Sequence, residues 1–134
     1  MNQQEAMMDV QEIARQAEQI EQHCGFLDQQ AEELEKFKLN LDGFNGEIGS
    51  KMMSSFGKGV FIETELKSNN LLVEVGAGII VRKDKEEVLG ILAHQINSLK
   101  VSRAYFGEQF EILTSELQKK MSLLDNSMQS ASKT

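Results

Sequence analysis

Few residues in this 134-residue chain have the types and spacing that do chemistry. Cys24 is the one cysteine, with His23 beside it and His94 far along the chain. Two imidazoles and one thiol are too few for a zinc site. A nucleophilic thiol also needs an activating partner. Gly76-Ala77-Gly78 has the start of a dinucleotide fingerprint, but position 81 is Val81, and the glycines join strand to strand rather than strand to helix. No nucleophile–base pair and no phosphate loop is found, so the sequence argues against an enzyme and for no cofactor and no metal. What remains is chemistry of binding. Met7, Met8, Val10 and Ile13 cluster near one end of the chain, and Leu117, Met121, Leu123, Leu124 and Met128 near the other. Methionine is flexible and polarizable, which suits contact with many different apolar sequences.

The elements that place these residues are legible from periodicity. Ala6, Val10, Ile13, Ala17, Ile20, Cys24, Leu27, Ala31, Leu34, Lys38 and Leu41 follow one another at alternating steps of four and three. Leu89, Leu92, Ile96, Leu99, Arg103, Phe106, Phe110, Leu113, Leu117, Lys120 and Leu124 repeat the rhythm. A straight helix drifts against a seven-residue repeat, so both rows ask for a supercoiled partner. Frequent Ala implies a narrow seam. Arg103 and Lys120 on the seam would set register, as would Lys38. Cys24 on the seam reads as a small buried hydrophobe, and His94 as a solvated residue. The spacing predicts helices over 5–45 and 85–128. The first should stop between Leu41 and Gly49, where glycines crowd. The second starts at an Asp84/Glu87 capping box and fades before the Ser-rich end, leaving 129–134 as a flexible tail. The chain has no Pro, where average usage would give roughly six or seven, so nothing interrupts long helices.

Between the arms the period changes to two. Val60–Leu66, Leu71–Val75 and Ile79–Arg82 read as strands and Met52–Phe56 as a fourth, punctuated by Gly57-Lys58-Gly59, Ser68-Asn69-Asn70 and Gly76-Ala77-Gly78. Two consecutive hairpins over 52–83 follow. The fold class is α+β, mostly α: a long antiparallel coiled coil joined by two β-hairpins. Arms of matching length around a compact insert fold back on each other. The chain ends then meet at the tip farthest from the strands. Four short strands cannot close a core in one copy. Residues 52–83, with Val60, Ile62, Leu66, Val73, Val75, Ile79 and Val81 on the strands, are therefore expected to hold an obligate oligomer together.

Charge narrows the partners. The net charge is −7, which argues against nucleic acid, because phosphate binding needs clustered Lys and Arg. Residues 1–50 hold eleven acids and three bases, and 51–84 and 85–134 are near balance. No apolar run suits a membrane span, no secretory leader is evident, and a lone cysteine fits the cytoplasm.

Helix, two hairpins, helix, in this order and size, resembles prefoldin. Phe56-Gly57-Lys58-Gly59-Val60-Phe61-Ile62-Glu63-Thr64-Glu65-Leu66 is similar to the family's first hairpin, and Val75-Gly76-Ala77-Gly78-Ile79-Ile80-Val81-Arg82-Lys83 to its second. Two hairpins point to the alpha class of archaeal-type subunit. The resemblance spans 1–134 as one prefoldin-like domain. It implies an ATP-independent holdase in a hexamer of two alpha and four beta-class subunits. The hairpins would contribute to a double β-barrel. The tips would capture non-native client proteins and pass them to a group II chaperonin. The alternative from the residues alone is a coiled-coil spacer or filament-forming scaffold subunit.

Overall fold

The computed structural model describes residues 2–132, with backbone only at Ala131 and Ser132. Helix α1 runs over Gln3–Asp42, followed by strands β1 (Lys51–Gly57), β2 (Val60–Glu65), β3 (Leu71–Gly76) and β4 (Ile79–Lys83), and then helix α2 over Lys85–Ser132. The expected order and type hold for every element. The helix ends differ. Asn2 caps α1, its Oδ1 accepting the Glu5 N–H at 2.8 Å, so the helix begins before position 5. Asp84 caps α2 as the capping box requires, accepting the Glu87 N–H at 2.8 Å. At its other end α2 runs past 128 to Ser132. The backbone of 129–132 is therefore helical, correcting the expected tail, and 133–134 lie outside the described residues.

All twenty-two positions of the two heptad rows are buried or half-buried. The four–three rhythm therefore identified the inward faces of both helices. The described residues form two compact units, residues up to 32 with those from 97 on, and residues 33–96.

In the first unit, Ile13, Ala17, Cys24 and Leu27 are buried on α1. Phe106, Phe110, Leu113 and Leu117 are half-buried on α2. The helices run antiparallel there, because Asp9 pairs with Lys120 and Asp28 with Arg103. Full burial of a side chain as large as Ile13 or Leu27 contributes about 1.5–3 kcal/mol.

In the second unit, Val88, Leu92 and Ile96 are buried. Val88 lies off the predicted row, so the opening turns of α2 bury a face spaced in steps of four. The Lys85 ammonium donates to the carbonyls of Asp42, at 2.6 Å, and Phe44, at 3.1 Å. It satisfies the orphan acceptors at the end of α1 and places a cation at the negative end of the dipole.

The strands form two separate antiparallel ribbons, β1 with β2 and β3 with β4. The two turns share one geometry. Gly57 pairs with Val60, and Gly76 with Ile79, each across a two-residue loop after a register shift. Lys58 and Gly59 have φ of 52° and 79°, and Ala77 and Gly78 have 52° and 74°. Two successive positive φ values make a type I′ turn, whose twist matches that of the strands. Leu66, expected within β2, falls one residue beyond it. Its N–H still donates to the Ser50 carbonyl at 2.9 Å, and its own carbonyl accepts from Gly49 at 2.7 Å.

Candidate functional site

Two surfaces gather exposed apolar side chains, each built by elements already described, while Phe26, Phe37, Leu39, Val101 and Ile112 are exposed elsewhere along the helices. The first is the end of the helical pair. The capped first turns of α1 and the last turns of α2 line an open cavity of about 310 Å³. Asn2, Gln3, Ala6 and Asp9 line it from α1, and Lys120, Leu123, Leu124 and Ser127 from α2. The two ends of the helical pair are therefore neighbours, as the fold-back of the arms requires. On the same end turns Met7, Met8, Met121, Leu123 and Met128 are exposed, and of these Leu123 lines the cavity. Val10, Leu117 and Leu124 are half-buried on the seam. Ile13, expected at the contact surface, is only 6% exposed. It belongs to the seam, because its heptad position turns it onto α2.

Charges close the seam beside the cavity. The Lys120 ammonium donates a hydrogen bond to the Asp9 carboxylate and lies 3.7 Å from Glu116. The bond to Asp9 raises the Lys120 pKa above its ordinary value. Arg103 is held the same way by Asp28, which raises its pKa. Glu12 accepts from Arg15 and Gln16, and these bonds hold its carboxyl below the usual range. Seam position marked Arg103 and Lys120 as register residues. Their acidic partners escaped sequence reasoning because Asp9 and Asp28 lie off the heptad row. An aromatic cluster was also missed. The His23 ring meets Phe106 edge-on at 4.5 Å, and Tyr105 meets Phe106 at 5.2 Å. Contacts across a helix pair leave no short-range signal in sequence.

The second surface is the pair of ribbons. Of the residues assigned there, Val60, Ile62, Val75 and Ile79 are exposed, and Leu66, Val73 and Val81 half-buried. Val73 and Val81 are direct cross-strand partners. Met53, Phe56, Phe61, Leu72 and Ile80 are equally open. Apolar side chains therefore stand exposed on both faces of these ribbons, and two-stranded ribbons are marginal alone.

Residues 13–133 match the family Prefoldin, described as "Prefoldin subunit". The chain belongs to the prefoldin family. Among curated relatives, a prefoldin subunit alpha of Methanosphaera stadtmanae is 29% identical over 79 residues. That match takes in 59% of this chain and 57% of the relative, so it spans little more than half of the relative's length. Among solved structures, a filamentous prefoldin from Methanocaldococcus jannaschii matches with a TM-score of 0.71 and 20% identity. It covers 91% of this chain and 98% of that one, and establishes the prefoldin fold. No helix among the described residues is long and apolar enough to cross a membrane.

Proposed function

We propose that this chain is an alpha-class subunit of a cytoplasmic, nucleotide-independent holdase, working as a single prefoldin-like domain. The observation that carries this reading is the exposure of Met7, Met8, Met121, Leu123 and Met128 on the same end turns that line an open cavity. An apolar surface of this kind marks an interaction site. Adaptable thioethers suit it to non-native chains of varied sequence. One such end binds weakly, and several ends on one particle gain from effective concentration. The particle would form when the open ribbons of residues 52–83 join those of beta-class subunits in a double β-barrel, two alpha with four beta. The captured protein would then pass to a group II chaperonin.

Deletion of residues 1–12 and 122–134 tests the reading. The truncated chain should still assemble but no longer suppress aggregation of a denatured protein. Undiminished suppression rejects the role of the helix ends.

A second reading has one observation in its favour, the likeness to a filamentous prefoldin. In that case the ribbons would join copies of this chain into an open polymer. Light scattering after size separation, with and without a one-hairpin partner, decides between them. A closed particle of about six chains supports the holdase, and polymers of mixed length support the scaffold.

A further inference from the structure

Charge is unevenly shared between the two units. The helical unit carries eleven acids and six bases, a net of −5, and residues 33–96 carry ten and eight, a net of −2. Arg15 is held by Glu12, Arg103 by Asp28 and Lys120 by Asp9, while Lys119 stands exposed one residue before Lys120. Glu5, Glu18, Glu21, Glu108, Glu111 and Asp125 stand exposed outside these pairs. Glu5 lies on the turn that supplies Gln3 and Ala6 to the cavity, and Asp125 follows Leu124. The cavity itself is mixed. Ala6, Leu123 and Leu124 give it apolar wall, Asn2, Gln3 and Ser127 give it side chains that can bond a passing backbone, and Asp9 and Lys120 are paired with each other in its lining.

A cavity with an apolar wall set in negative surroundings discriminates among apolar segments. Lys or Arg beside the buried side chains is attracted, and Asp or Glu is repelled. Such complementarity acts through encounter rate and partner choice more than through raw affinity, and salt screens it. We propose that the cavity between the first turns of α1 and the last turns of α2 selects extended apolar segments flanked by basic residues. This rests on the client-binding role of the helix ends and adds the class of segment that they take.

The experiment uses the full chain in the assembly it forms and three fluorescent unstructured peptides. They share one Leu/Met/Val core and are flanked by Lys, by Ser or by Glu. At low salt the Lys-flanked peptide should bind about tenfold more tightly than the Glu-flanked one, the factor that a few screened surface pairs give together. The gap should shrink as salt is raised through a Debye length of about 10 Å. The exposed substitutions Glu5→Gln, Glu18→Gln and Glu21→Gln, combined, should narrow it while Ser-flanked binding is unchanged. Equal binding of the Lys and Glu peptides, with Ser-flanked binding intact, overturns the charge preference and leaves the client-binding role standing. So does a preference for the Glu peptide. Failure of all three peptides to bind overturns that role, and the preference with it.

Discussion

The Arg103 guanidinium reaches across the helical pair to the Asp28 carboxylate, its Nε lying 3.0 Å from Oδ1 and 3.1 Å from Oδ2. Arg103 occupies a seam position in a row of eleven whose other members are nine hydrophobes and Lys120. A charged seam residue trades stability for register. Arg103→Leu should therefore raise the melting temperature while broadening the distance distribution between spin labels on the two helices. A narrower distribution would refute the register role.

Gly107 sits one turn after Arg103, and a Cβ there would lie 2.7 Å from the Arg103 Nη1. That atom ends a flexible side chain and can move. Ala in a helix gains about 1 kcal/mol over Gly, and an exposed ion pair is worth about 0–1 kcal/mol. Gly107→Ala should thus raise stability by less than about 1 kcal/mol in a urea titration followed by circular dichroism.

Gly46 is different. A Cβ there would meet Phe44 Cζ at 2.5 Å and Leu66 Cδ2 at 2.6 Å. Both are packed ring and branched-chain atoms. Gly46→Ala should cost about 1–3 kcal/mol, as overpacking does, measured by the same titration. An unchanged midpoint would show that the loop after α1 yields freely.

Ala77 holds φ at 52° in the second hairpin turn. A Cβ-bearing residue in this region costs about 1–2 kcal/mol, and Asn tolerates it best. Ala77→Asn should raise the melting temperature of the assembled protein. Ala77→Val should lower it, because a β-branched side chain resists that backbone.

Lys120 has its pKa raised by the hydrogen bond to Asp9. A raised pKa means that the bond's contribution is complete below the ordinary lysine value of 10.5. It is lost as pH climbs through the higher folded value. Spin labels at positions 8 and 124 should separate in that alkaline window. Lys120→Met should remove the response, and a response that survives would place its origin elsewhere.

The seam and the strands were legible because each has a strict period. Steps of four and three named the inward residues from Ala6 to Leu41 and from Leu89 to Leu124, and alternation with Gly-X-Gly turns named the hairpins. The helix ends were less so. Asn2 caps from outside the heptad row, and nothing in the serines near the end stopped α2 before Ser132. The assignment of Ile13 to the contact surface shows the limit of clustering by sequence. It lies three positions beyond Val10, and that step of less than a turn is enough to bury it. The bonds from Lys85 to the end of α1 join residues about forty apart, and only a folded chain reveals such pairs.

Cys24 is the chain's one thiol, and it is 5% exposed within the seam. A thiol reagent can reach it only while α1 and α2 stand apart at that level. Its alkylation rate in the native protein is therefore a built-in clock for helix separation, readable without adding any label.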